Sequence, residues 1–179
     1  MYGLIAIFDE TTEQLIKTIW KELYERSISA YAYEVEDRIP HITLASYNNL
    51  NISDFIEQIN EIYENQPAID IKFNSIGSFL NSGALFYSPT MTKDLFEFHA
   101  NHHKKFEQFN DDPNSLYIPD HWIPHCTIAN RLSLEKLTEA FHYCTKRIST
   151  IQGKIVGVAL IDVSDKSKAP IIYSKELIK

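Results

Sequence analysis

The chain has 179 residues, a hydrophobic fraction of 44% and a net charge of −7. That length allows one large domain or two small lobes, and the apolar content allows a sizeable core rather than disorder. The acidity excludes a long duplex-coating surface, which needs many Lys and Arg contacts to phosphate, but leaves room for a nucleotide or an RNA end in a local pocket.

Met1 to Asp9 opens with a short apolar run that lacks a basic leader and ends in acid, so it reads as a strand and not as a signal peptide. A helix is expected next, with Thr11 as N-cap, Gln14 as its capping-box partner, and a buried face of Leu15, Ile16, Ile19, Trp20, Leu23 and Tyr24. A loop or irregular strand runs to Pro40, and residues 41–47 form a strand. Ser53 starts a second helix carrying Phe55, Ile56, Ile59, Ile62 and Tyr63. Residues 68–80 read as a strand, Asn81-Ser82-Gly83 as a turn and Ala84 to Ser88 as the returning strand. A third helix covers residues 91–109, a second motif strand 125–131, and a fourth helix starts at Ser133. The last two strands run from Ile155 to Val163 and from Ile171 to Leu177.

This order repeats. Helix, strand, helix, strand, turn, strand recurs at the offset that separates His41 from His125, which is 84 positions. Two copies are too few for a solenoid. The expected fold is α+β, with two interlocked lobes related by a pseudo-twofold axis, residues 1–179 forming one domain.

The repeat carries a motif. Ile39-Pro40-His41-Ile42-Thr43 returns as Ile123-Pro124-His125-Cys126-Thr127. Residues two apart on a strand share a face, so His41, Thr43, Ala45 and Tyr47 form one set, and His125, Thr127, Ala129 and Arg131 the other. Imidazole titrates at about 6.5, so one ring can be neutral while its twin is charged. Opening a cyclic phosphodiester needs such a pair: one group takes a proton from water as another gives one to the departing oxygen, each worth roughly 10²–10⁴-fold in rate. The Thr43 and Thr127 hydroxyls can donate to the non-bridging phosphate oxygens. Arg131 could add a bidentate phosphate contact, and Tyr47 could stack on a base.

Two HxTφ motifs, His41-Ile42-Thr43-Leu44 and His125-Cys126-Thr127-Ile128, resemble the 2H phosphoesterase superfamily in its 2'-5' RNA ligase-like branch. The resemblance covers nearly the whole chain. It implies a bilobal fold with antiparallel sheets lining a central cleft and helices outside. It also implies metal-independent action on 2',3'-cyclic phosphate ends of RNA or nucleotides, with reversible 2'-5' joining in some members. His41 and His125 would then be catalytic, with no cofactor and no metal.

Two other readings compete. A nucleotide- or RNA-end-binding module could use the same cleft without turnover. A metal hydrolase could use His41 and His125 as ligands, but no Asp or Glu stands beside either motif to complete the set. His99, His102 and His103 have spacing compatible with a metal on one helix face. His102 falls on an apolar stripe, however, and reads as packing, with the other two at the surface. Cys126 and Cys144 make neither a disulfide framework nor a CxxC pair, and no segment approaches a membrane span. The expected setting is cytoplasmic, with a cyclic-phosphate RNA end or nucleotide as partner and no obligate protein partner.

Overall fold

The computed structural model describes residues 1–179. Seven strands and four helices make up the chain. They are β1 (Tyr2–Phe8), α1 (Glu10–Glu25), β2 (His41–Tyr47), α2 (Ile52–Tyr63), β3 (Ile69–Gly77), β4 (Leu85–Pro89), α3 (Lys93–Lys105), β5 (Cys126–Ala129), α4 (Leu134–Arg147), β6 (Ile151–Asp162) and β7 (Ile171–Glu176). Short 3₁₀ turns lie at Tyr31–Tyr33 and Glu107–Phe109. No helix is long and apolar enough to cross a membrane.

The chain is α+β, as expected, but its strands make one antiparallel sheet and not two. The order is β2-β1-β6-β3-β4-β5, with β7 also on β6. The reason is the length of β6, whose 12 residues exceed what one neighbour needs. Ile155 to Asp162 pairs with β1, Ile151 to Ile155 with β3, and Gly157 to Ile161 with β7. One strand therefore carries the hydrogen-bond ladder between two groups of strands.

Alternation along the strands sets the two faces. Leu4, Ala6 and Phe8 of β1 and Ile155, Val158 and Leu160 of β6 point into the main core. All four helices pack on that side. They bury Ile16, Ile19, Trp20 and Leu23 from α1, Phe55, Ile59 and Tyr63 from α2, Leu95 and Phe98 from α3, and Ala140 and Cys144 from α4. Ile5, Ala159 and Ile161 form a small cluster on the opposite face. Leu15 and Tyr24, expected in the buried stripe of α1, are exposed instead, and Thr12 is buried in the first turn.

The first helix begins earlier than its capping box suggests. Asp9, not Thr11, is the N-cap, with Oδ1 accepting from the Thr12 N–H at 3.0 Å. Its second oxygen accepts from the Lys154 N–H at 2.6 Å, which fastens the helix start to β6. Gly153 permits this approach, since a Cβ there would stand 1.8 Å from the Thr12 hydroxyl. In the second helix Asn51 takes the cap expected of Ser53, accepting from the Asp54 N–H.

Candidate active site

The two ends of the sheet path, β2 and β5, come back into contact with each other. The Cys126 thiol lies against the His41 backbone N–H, and burial pushes that thiol up to about 12. The two motif strands are therefore neighbours in space, although each is an edge in the hydrogen-bond ladder.

Both strands carry the same irregularity. Leu4 pairs with Ala45 and Ile5 with Thr43, so Leu44 is an extra residue on β2. Leu85 pairs with Ala129 and Phe86 with Thr127, so Ile128 is the extra residue on β5. A one-residue bulge reverses the alternation beyond it. His41 and Thr43 keep the cleft face, while Ile42, Leu44 and Ala45 are buried. After the bulge Ser46 takes the cleft face and Tyr47 turns into the core.

The rings are held alike. His41 Nδ1 lies 2.7 Å from the Ile39 carbonyl oxygen, and His125 Nδ1 lies 2.8 Å from that of Ile123. A carbonyl only accepts, so each Nδ1 bears the proton and each Nε2 is left for chemistry. Pro40 and Pro124 lie between each ring and its carbonyl and are buried. His125 also rests its ring on Phe79 and Phe86, at centroid distances of 4.8 and 5.2 Å. Gly77 leaves space for this arrangement, since a Cβ there would come within 2.9 Å of the Phe86 ring.

Each threonine is braced by the other half of the chain. The Trp122 Nε1–H, just before the second motif, donates to the Thr43 carbonyl at 2.9 Å. The Trp20 Nε1–H donates to the Thr127 carbonyl at 3.1 Å. The Tyr117 phenol faces the Thr43 side chain and the Tyr31 phenol faces that of Thr127. Carbonyls on ladder edges need partners, and the indoles supply them.

The electrostatics of the two rings differ. Burial lowers His41 to about 4, with the charges of His125 and Arg38 pressing the same way and the Ile39 carbonyl opposing. Burial also lowers His125, against the pull of the Ile123 carbonyl. The charge of His125 reaches His41, which places the rings within electrostatic range of one another.

A cavity of about 420 Å³ opens beside β2, and His41, Thr43, Ser46, Tyr117 and Arg131 are among its lining residues. His125 and Thr127 are not part of that lining. Arg131 reaches it from beyond the end of β5, by a left-handed turn (φ 58°) in which its N–H donates to Asn130 Oδ1 at 2.8 Å. No group of three or more His, Cys, Asp or Glu side chains is placed to hold a metal.

With this geometry in view, comparison with known proteins adds the family. The model of the 2'-5' RNA ligase superfamily matches residues 9–166. The chain belongs to that superfamily. The resemblance to 2H phosphoesterases read from the two HxT motifs is thereby borne out. Among curated proteins, no sequence matches this chain. Solved structures of the same fold include TT0787 of Thermus thermophilus, at 12% identity and a TM-score of 0.63, covering 98% of this chain and 97% of that one. E. coli LigT complexed with 3'-AMP matches at 10% identity and a TM-score of 0.63, covering 99% of this chain and 97% of that one. A further match is a structure described only as a phosphoesterase, at 10% identity and a TM-score of 0.59, covering 99% of this chain and 98% of that one.

Within this member of the 2'-5' RNA ligase superfamily, two sequence expectations need correction. Tyr47 is not a cleft residue. It is 1% exposed, and its hydroxyl is hydrogen-bonded to His102 Nε2 at 2.7 Å. The Leu44 bulge is the cause. His99 and His103, expected at the surface, are buried with His102. His103 Nε2–H donates to the Leu44 carbonyl at 3.0 Å, which is the bulge carbonyl that the ladder leaves free. His99 Nε2–H donates to the Tyr117 carbonyl at 2.7 Å, and its ring stacks on Trp122 at 3.8 Å. The α3 histidines thus support the strand and indole that hold Thr43. The stride of three and four that suggested a metal instead serves hydrogen bonds to β2 and to the loop before β5.

Sequence reasoning also passed over Trp122, Tyr31, Tyr117 and Arg38. Trp122 and Arg38 each stand three residues before a motif histidine, a matched position that was a usable signal. Arg38 lies over the Tyr31 ring at 3.8 Å and donates to the Tyr31 carbonyl.

Proposed function

We propose that this protein opens 2',3'-cyclic phosphodiesters at RNA ends or on nucleotides without a metal, and that a 5'-hydroxyl attacking in place of water gives reversible 2'-5' joining at the same site. The observation that carries the reading is the matched pinning of His41 and His125 through Nδ1, which leaves two Nε2 atoms on strands that touch. In this reading His41 Nε2, held neutral by burial, takes a proton from attacking water. The water oxygen bonds to phosphorus, and the bond from phosphorus to one ribose oxygen breaks. His125 Nε2–H, on the less depressed ring, gives that oxygen its proton. The Thr43 and Thr127 hydroxyls and Arg131 hold the non-bridging oxygens, where charge gathers in the transition state. Tyr47 has no part.

The same reading treats residues 1–179 as one domain of two interlocked, pseudo-twofold lobes. Supporting it are the equal bulges at Leu44 and Ile128 and the crossed indole bonds of Trp20 and Trp122. The unlike surroundings of the two rings fit an asymmetric reaction.

His41→Ala and His125→Ala should each lose roughly 10²–10⁴-fold in kcat on a cyclic-phosphate-ended oligonucleotide with chelator present. Full activity in either variant would reject the two-histidine mechanism. Tight binding of nucleotide without turnover in the wild type would favour a binding module instead.

A further inference from the structure

The charge of the cleft is opposite to that of the chain. Arg38, Arg131, Lys166 and Lys168 line the cavity, against Asp37 and Asp165, on a protein of net charge −7. None of these four cations forms an ion pair with a carboxylate. Lys168 stands close enough to Asp162 and Asp165 to favour their ionised forms, yet it stays exposed. A cyclic phosphodiester carries one negative charge, which Arg131 and a protonated imidazole already balance. The lysines exceed that need.

Their loop is also fixed in place. The Glu36 N–H donates to the Ser167 carbonyl at 2.8 Å, and the Ala169 N–H donates to the Glu36 carbonyl at 3.0 Å. Ser167 folds the turn by donating its N–H and hydroxyl to Asp165 Oδ1, at 2.8 and 2.7 Å. The β6–β7 turn is thus tied to the segment that leads into His41. Between the lysines and the motif lies an apolar floor of Gly3, Ile5, Ile161 and Val163. That floor suits a nucleobase or the face of a ribose, with phosphate at either end.

Building on the reading above, we infer that Lys166 and Lys168 bind a second phosphate on the 5' side of the reacting nucleotide. The substrate is then a 5'-phosphorylated nucleotide or a longer RNA end, and not a bare nucleoside cyclic phosphate. Both sources present the same chemistry, a phosphate oxygen to two ammonium groups.

Calorimetric titration of the full chain tests this without turnover. The probes are a nucleoside 3'-monophosphate, the matching 3',5'-bisphosphate, and a trinucleotide ending in a 3'-phosphate with no 5'-phosphate. Wild type should bind the bisphosphate or the trinucleotide about tenfold more tightly than the monophosphate, with a steeper loss as salt rises. A gain on the bisphosphate identifies a phosphomonoester in the subsite, and a gain on the trinucleotide alone identifies an internal diester. In Lys166→Ala/Lys168→Ala the preference should shrink to about twofold or less. Equal wild-type affinity for all three probes, or a preference that the double variant keeps, would overturn the inference. Turnover of a cyclic phosphodiester tests the catalytic reading separately, so either idea can fail while the other stands.

Discussion

At the residue scale, the pinned histidines and the displaced tyrosine show what one sequence position can and cannot reveal. The two HxT motifs were legible because they repeat, and repetition is visible without coordinates. The role of Tyr47 was misread because strand alternation was carried through a bulge that no residue type announces. Its hydroxyl serves the core. Tyr47→Phe would leave a buried His102 nitrogen without its partner, and the ring's other hydrogen bond is to the Tyr63 hydroxyl at 3.0 Å. The expected cost is about 1–3 kcal/mol by urea unfolding. Turnover should change by no more than about twofold, since no cleft contact is removed. A sharp loss of activity at unchanged stability would return Tyr47 to the site.

At the scale of elements, the bulges on β2 and β5 let each motif strand face two ways. On β2, His41 and Thr43 line the cleft before the bulge and Ser46 after it, while Ala45 and Tyr47 are buried. Element types and their order were readable from periodicity, because amphipathic stripes such as Ile16, Ile19 and Leu23 repeat at helical spacing. Cap positions and strand ends were less so. Asp9 competes with Thr11, and only its bond to Lys154 from a distant strand decides between them. The bracing of Thr43 by the loop before β5 is likewise a tertiary fact. Trp122→Phe removes the indole donor to the Thr43 carbonyl while keeping a ring to stack on His99. Stability should fall by about 0.5–1.5 kcal/mol. Because the displaced carbonyl belongs to Thr43, which the proposed mechanism sets on the phosphate, kcat should fall with KM little changed. Restored kcat in Trp122→His, which keeps a ring N–H, would separate positioning from bulk packing. A kcat that stays at the wild-type level in Trp122→Phe would remove the indole from the account.

At the scale of the whole molecule, the sheet brings together residues from opposite ends of its strand order. The repeat in the sequence pointed to two half-sites and gave no sign that β6 would join the strands in one sheet. That joining depends on a single long strand with partners on both edges. The consequence is that the charge of His125, far from His41 in sequence, reaches the His41 ring. Burial favours the neutral form of both, so the working range shifts toward acid. In the proposed mechanism His41 is the base and must be neutral, so activity should rise as pH climbs through its value of about 4. In the same mechanism His125 is the acid and must be protonated, so activity should fall as pH climbs through its value, which burial holds below the ordinary 6.5. The pH dependence of kcat/KM on a cyclic-phosphate oligonucleotide, in wild type, His41→Ala and His125→Ala, tests this most directly. A bell with its maximum on the acid side of 6.5 is expected. The acid limb should vanish in His41→Ala and the alkaline limb in His125→Ala. A flat wild-type profile across this range, or a bell that survives in either variant, would contradict the two-imidazole site.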